Sequence, residues 1–502
     1  LTRERPMTQS LAAALPGLTL DRSSTLPLHA QLAQALRSAI LTGQTPPGTR
    51  LPATRSLATE LGLGRNTVAD AYDQLIAEGY LEARVGSGTR VASIAPDAFL
   101  ATGAATDAED ETGTPSPPLS QRGRDLAGAV RPVPPPPGKF GYAFQPGVPA
   151  FDAFPYASWT RLAARAAKNM QAVGDYAHPD GLPALREAVA THVKLARGVV
   201  CDADQIIITA GAQAALDLAA RMLVDTGDHT WIEDPGYGGA RGALIGAGAS
   251  LVPVPVDEEG MDLAAARKMR KRPRLIYVTP SHQFPLGVTM SLQRRLELLE
   301  LAKDADAWVI EDDYDSEYRY QGRPLSSLQG LDGGRRVLYI GTFSKTFFPS
   351  LRIGYLIAPK EHAQAFRQAI RNTGHTAPGL PQFALAAFLE GGHYEAHARR
   401  MRKLYDARRQ ALVSAIDDKA RDVLEPVIRE AGMQMPAFLR KRNDDMSIAA
   451  ALAEDGLAVG SLSRYTLDRR NLRPGLVLGF AAVEERHISP AMDQLVARLK
   501  AS

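Results

Sequence analysis

Residues 341–355 read GTFSKTFFPSLRIGY and begin at the end of the apolar run RVLYIGT, so Lys345 lies just past a strand, between Thr342 and Ser344 on one side and Arg352 on the other. A lysine partly withheld from water has a lowered pKa and can form a Schiff base with an aldehyde. Thr342 and Ser344 offer hydroxyl donors and Arg352 a planar guanidinium, a set suited to a phosphate carrying about two negative charges. A solitary lysine after a strand is ordinarily surface charge, so the segments around this one must decide its meaning.

Working outward, the apolar runs QIIITA, HTWIEDP, RLIYVTP and AWVIEDD alternate with Ala- and Leu-rich helical segments from about residue 142. That alternation predicts an α/β domain on a largely parallel sheet. Three of its strand ends carry chemistry. In ITAGAQAALDL, Gly211, Ala212 and Gln213 open a helix, where backbone N–H groups and the helix dipole attract phosphate. In VIEDDYDSEYRY, Asp312 ends a strand and Tyr314 follows two residues on. A carboxylate opposite an aromatic ring nitrogen keeps that nitrogen protonated, and a phenol can bond a ring oxygen. Asp313 and Asp315 compete with Asp312 for this place. In IEDPGYGG, Tyr237 follows a proline-glycine turn from which its ring could stack on a flat ligand. Near residue 390 the chain turns helical again before LVLGFAA and a last helix, which predicts a smaller α+β subdomain.

Residues 22–92 have a different character. Leu28, Leu32, Leu36, Ala39 and Ile40 recur at helical spacing until PPG at 46–48; a second short helix ends at Gly62, and a third carries Val68, Ala71, Tyr72, Leu75 and Ile76 on one face. Two helices joined by the tight GLG turn make a helix-turn-helix, and YLEARVGSGTRVA alternates like a β-hairpin, the wing. Arg65, Asn66 and Thr67 then open the helix that enters a major groove, where arginine and asparagine can read guanine and adenine edges. Arg50, Arg55, Arg84 and Arg90 are candidates for phosphates. Between residues 93 and 139, DAEDET, TPSPP and RPVPPPPG read as a flexible linker rich in Pro, Ala and acidic residues, with a reach of about 35–40 Å.

Composition sets the outer limits. The chain has 502 residues, too many for one core; 45% hydrophobic and 23% charged residues are those of globular domains. One cysteine, Cys201, excludes an internal disulfide and a cysteine zinc cluster, and no metal site is expected. No apolar stretch is long enough for a membrane helix, so no membrane partner and a cytoplasmic location are expected. A net charge of +3 is too small to argue for DNA by itself.

The N-terminal pattern, LPLHAQLAQALRSAILTG followed by GTRLPATRSLATELGLGRNTVADAYDQLIAEGYL, resembles the GntR-type winged helix-turn-helix. The four strand-end segments, in this order, resemble fold-type-I pyridoxal-phosphate enzymes of the aspartate aminotransferase class. FDAFPYASWTRL, YAHPDGLPALREAV, VTPSHQFPLG and RPGLVLGFA extend the match, and the whole chain resembles the MocR/GabR family of transcription regulators. The resemblance implies that Lys345 forms the Schiff base with pyridoxal 5′-phosphate, Asp312 faces the pyridine nitrogen, Tyr314 bonds the 3′-oxygen and Tyr237 stacks. It implies Arg473 as receiver of an effector carboxylate, with Arg464 as second candidate, and Tyr176 as a residue crossing to a neighbour's phosphate. It also implies a homodimer with each DNA-binding domain packed on the partner subunit, binding double-stranded operator DNA and sensing an amino compound or the cofactor itself.

Two departures matter, the first for activity and the second for γ-aminobutyrate as the effector. Aminotransferases commonly hold the 3′-oxygen with an asparagine where this chain has Phe284, which weighs against efficient transamination. The member that senses γ-aminobutyrate has an arginine where this chain has Gly239. An active aminotransferase with a fused DNA-binding domain is the alternative reading, and a regulator with a vestigial site the third.

Overall fold

The structure, a computed structural model, describes residues 20–84, 88–93, 117–129, 136–168, 178–322, 326–441 and 444–501. The wing tip, Tyr176 and much of the expected linker lie outside them. The chain divides into two compact units, residues 1–117 and 118–502.

In the first unit, α1 (Leu28–Leu41), α2 (Thr54–Leu61) and α3 (Arg65–Ala77) precede the antiparallel pair β1 (Leu81–Arg84) and β2 (Gly88–Val91). The helical spacing has a direct physical result: Leu32, Leu36, Leu57, Val68, Tyr72 and Leu75 are buried together. Removing one such side chain from water is worth about 1.5–3 kcal/mol. Gly62 ends α2 in the left-handed region at φ 63°, so α3 can leave at an angle. Arg22, unremarked in the sequence, donates to the Gly62 carbonyl oxygen at 2.9 Å and steadies the same turn.

The second unit begins earlier than the linker reading allows. Within the expected linker, α4 (Gln121–Gly128) is capped by Ser120, whose Oγ accepts from the Gly123 amide at 3.0 Å. Arg122 donates to Thr226 Oγ1 at 2.9 Å, and Leu126 lies against Gly246. Residues 118–129 therefore belong to the second unit rather than to a linker spanning 93–139. Eight residues between proline-rich flanks give too little periodicity to mark a helix.

The main sheet has the order β3-β10-β9-β8-β7-β4-β5-β6. Its strands are β3 (Ile206–Thr209), β4 (His229–Asp234), β5 (Ser250–Asp257), β6 (Gly260–Met261), β7 (Leu275–Val278), β8 (Trp308–Asp313), β9 (Val337–Thr342) and β10 (Gly354–Ile357). The run from β9 to β5 is parallel, while β10 is antiparallel to both its neighbours and β6 to β5. Both faces are covered: Ile206 and Ile208 join one apolar cluster and Ile207 the other. This is why the strands read as continuous apolar runs rather than alternating ones.

From His393 the chain builds the smaller α+β part, with a long helix (His393–Lys419) and an antiparallel sheet of order β11-β12-β14-β13. Its strands are β11 (Leu424–Pro426), β12 (Gln434–Leu439), β13 (Gly460–Ser461) and β14 (Gly475–Gly479). Phe144, fully buried, packs into this core and bridges to Gly479. The segment before the large sheet thus belongs with the end of the chain.

Candidate functional site

The parallel ladder sets the site. Asp312 pairs with Ile340 and Asp313 with Gly341, so β8 and β9 release their following residues side by side at the carboxyl edge of the sheet. The carboxyl ends of β3, β4 and β7 open on the same edge, where open α/β sheets bind ligands.

Lys345 is half-buried, and its Nζ donates to the Gly147 carbonyl oxygen at 2.8 Å. A Cβ on Gly147 would stand 2.6 Å from that nitrogen, so glycine is required there both for the close approach and for its φ of 72°. The sequence reading passed over Gly147 because its partner is 198 residues away.

Three neighbouring aspartates differ in the partners of their engaged oxygens, while Oδ1 is buried without a partner among the described residues in both Asp312 and Asp313. Asp313 is ion-paired with Arg197 at 2.7 Å and also accepts from Tyr339. Asp315 lies 2.9 Å from His282 Nδ1. Asp312 accepts from the Tyr277 hydroxyl at 2.7 Å, while its buried Oδ1 has no partner among the described residues. Burial pushes the Asp312 carboxyl up to about 7, against the hydrogen bond from Tyr277 and the charge of Lys345. A buried carboxylate oxygen wanting a donor fits a protonated ring nitrogen.

Phosphate has a matching place. Gly211, at φ 88°, caps the helix Ala212–Leu223, and Arg352 brings its guanidinium carbon 3.8 Å from where a Gly211 Cβ would be. Arg352 is exposed and makes no hydrogen bond or ion pair among the described residues. Thr342 and Ser344, beside Lys345 in sequence, are half-buried, with the Ser344 amide donating to Thr342 Oγ1 at 3.2 Å. Gln213 is turned inward and donates to the Gly239 carbonyl oxygen at 2.9 Å.

Aromatic rings form the wall. Phe284 meets Tyr237, Tyr314 and Tyr465 edge-on, with centroids at 5.8, 6.1 and 4.9 Å. A Cβ on Gly239 would come within 2.5 Å of both the Tyr237 ring and Gln213 Oε1, so no arginine fits there without displacing the tyrosine. The Tyr314 hydroxyl is 2.9 Å from His282 Nδ1. Taken together, a lysine, a carboxylate in need of a donor, a phosphate cradle and a phenol at the ring edge fit pyridoxal phosphate.

The two arginine candidates for an effector carboxylate part ways. Arg473 stands away from the site, contrary to the expectation from sequence: it forms a surface ion pair with Glu425 and covers the Phe438 ring at 4.4 Å. The ladder gives the reason. Gln434, near Gly147 and Lys345, pairs with Gly479, whereas Phe438 pairs with Gly475, four residues or about 13 Å farther along the strand. Arg464 is half-buried next to Tyr465 and has no hydrogen bond or ion pair among the described residues. Its loop is fastened to the site by Tyr465 O, which accepts from the Gly236 amide at 2.9 Å, and by Asp234, which accepts from the Leu467 and Asp468 amides at 2.7 and 2.8 Å.

In the N-terminal unit Arg65 and Asn66 are exposed on the first turn of α3, Thr67 is half-buried, and Arg55 is exposed on α2. Arg50 lies along the wing, its Nε 3.1 Å from where a Gly88 Cβ would be. The other two wing arginines are engaged: Arg90 donates to the Gly48 carbonyl oxygen at 3.0 Å, and Arg84 is 3.6 Å from Glu82. Among the described residues no helix is long and apolar enough to cross a membrane.

Fold and site together define a transcription regulator in which a winged helix-turn-helix is joined to an aminotransferase-like, pyridoxal-phosphate domain. Family models agree: bacterial regulatory proteins of the gntR family match residues 28–91, and aminotransferase class I and II matches residues 147–494. The probable rhizopine catabolism regulatory protein MocR of Rhizobium meliloti is 43% identical over 95% of each chain. The pyridoxine biosynthesis regulator PdxR of Corynebacterium glutamicum is 32% identical over 95% of this chain and 96% of its own. Among solved structures, the α-aminoadipate aminotransferase LysN of Thermus thermophilus, complexed with N-(5′-phosphopyridoxyl)-L-leucine, superimposes with a TM-score of 0.66. It is 28% identical, over 76% of this chain and 95% of that one. The chain belongs to the MocR family of GntR-type, DNA-binding transcription regulators.

Proposed function

We propose that the aminotransferase-like domain senses an amino compound, or pyridoxal phosphate itself, and alters the grip of the winged helix-turn-helix on operator DNA. When bound, the cofactor supplies an aldehyde for amine exchange and an electron-accepting ring. Lys345 holds it covalently, Asp312 keeps the ring nitrogen protonated, Tyr314 bonds the ring oxygen and Tyr237 stacks. Gly211, Ala212, Thr342, Ser344 and Arg352 take the phosphate. Arg464 receives the effector's carboxylate. The observation that carries this reading is the buried, partnerless Oδ1 of Asp312 in a domain tied to a DNA-reading unit.

The protein acts as a homodimer in the cytoplasm, with each DNA-binding unit packed on the partner subunit. An amino compound whose carboxylate Arg464 would hold shifts the balance only by binding one arrangement better than the other. The test pairs operator affinity, measured with and without cofactor and candidate amines, with a keto-acid turnover assay. Ligand-dependent affinity without sustained turnover is expected. Rapid turnover with affinity indifferent to every ligand would overturn the sensor and favour a working aminotransferase.

A further inference from the structure

Phe284 has no donor to offer a ring oxygen, yet the loop that carries it places one two residues earlier. His282 is 2% exposed, and its Nδ1 lies 2.9 Å from both Tyr314 Oη and Asp315 Oδ2. The slot is cut for an imidazole. A Cβ on Gly432 would be 2.0 Å from the ring's Cε1, and one on Gly287 would be 3.0 Å from Nε2, both at positive φ. Asp315, 1% exposed, is an acceptor for Nδ1–H when ionised, and a carboxylate in this position fixes which ring nitrogen carries the proton.

The consequence for Tyr314 is geometric. With Nδ1 carrying the hydrogen, that single N–H is shared between the carboxylate and the phenol oxygen, so His282 is not an acceptor for Tyr314. The phenol's own hydrogen then points away from the histidine and is free for another acceptor. Were Nδ1 bare, Tyr314 would spend that hydrogen on it, and a lone pair would face Asp315 at 2.9 Å. Nε2 is buried without a partner among the described residues, and His282 lines a polar cavity of about 20 Å³ together with Arg197, Ser281, Thr289, Arg295 and Arg319. That volume admits one water, which would complete the ring's hydrogen bonds.

We propose that His282, pinned by Asp315, is a positioning residue that aims the Tyr314 hydroxyl at the cofactor's ring oxygen and so replaces, one step removed, the donor lost at Phe284. This rests on the reading of the site as one for pyridoxal phosphate. A donor to the ring oxygen stabilises its anionic form, so losing the donor raises the pH at which the lysine-linked chromophore titrates.

The experiment is an absorbance titration of the full chain loaded with pyridoxal phosphate, with cofactor release measured in parallel. Tyr314→Phe should move the midpoint upward, and His282→Leu should reproduce at least half of that shift. His282→Leu should add nothing in the Tyr314→Phe background, because it acts through the same hydroxyl. His282→Asn, whose amide nitrogen stands near the place of Nδ1, should recover most of the wild-type midpoint. Asp315→Asn keeps the imidazole and should shift the midpoint in the same direction, which covers the case in which His282→Leu does not fold. A wild-type midpoint in both His282→Leu and Asp315→Asn, alongside a shift in Tyr314→Phe, overturns the proposal and leaves the cofactor site standing. Equal shifts from His282→Leu with and without Tyr314 overturn it too. No lysine-linked chromophore in the wild type removes the cofactor reading and this proposal with it.

Discussion

Asp312→Asn tests the buried carboxylate through stability rather than activity. In the fold, burial raises the Asp312 pKa from 3.8 to about 7. The cofactor-free folded state therefore binds more protons than the unfolded chain between about pH 4 and pH 7, and this group's contribution to stability is lost as pH rises through that window. Three pKa units correspond to about 4 kcal/mol at most. The amide keeps the shape and the contact with Tyr277 but cannot ionise. Denaturant unfolding of cofactor-free protein should find the variant more stable than wild type by about 1–4 kcal/mol at pH 8, with the gap closing near pH 4. Loading with pyridoxal phosphate should reverse the order at pH 8, since only the carboxylate gains from a protonated ring nitrogen. Parallel stability curves from pH 4 to 8 for the two cofactor-free proteins would refute the argument.

Lys345→Ala should abolish the covalent adduct that borohydride fixes, read as a mass increment on the intact chain; an increment that persists would place the link on another lysine. Arg464→Ala should weaken binding of a carboxylate-bearing amine by roughly tenfold or more, as the loss of a charge-assisted contact implies, while Arg473→Ala, which loses only a surface pair with Glu425, should leave it within about twofold. The opposite ranking by calorimetry would restore Arg473. Arg65→Ala should cost about 1–3 kcal/mol on the specific DNA site and relax sequence preference, whereas Arg55→Ala should lower the salt slope by about one unit on all sequences. Uniform weakening by Arg65→Ala in an anisotropy titration would remove its base-reading role.

Local chemistry was legible where it depends on a few consecutive residues. The strand-to-helix turn at Gly211, the αL stop at Gly62 and the lysine after β9 each follow from short-range rules, and the structure forms each of them. Choosing among Asp312, Asp313 and Asp315 needed their partners, because Arg197 and His282 reach them from 116 and 33 residues away. Gly147 was hidden for the same reason. Arg473 was misplaced because adjacency to β14 says nothing about which end of that strand faces the site; only the β12 register shows it. Helix α4 was lost between prolines, and its hold on Thr226 is again long-range.

On the sensor reading proposed above, occupancy of the Lys345 site is coupled to DNA binding. That coupling is tested most directly by titrating operator DNA, selected from the region upstream of the gene, with wild type and Lys345→Ala, each with and without saturating pyridoxal phosphate. The cofactor is expected to change the wild-type Kd by about 5- to 150-fold, a coupling of about 1–3 kcal/mol, and Lys345→Ala to lose most of that change. Identical operator affinity in all four titrations would contradict it.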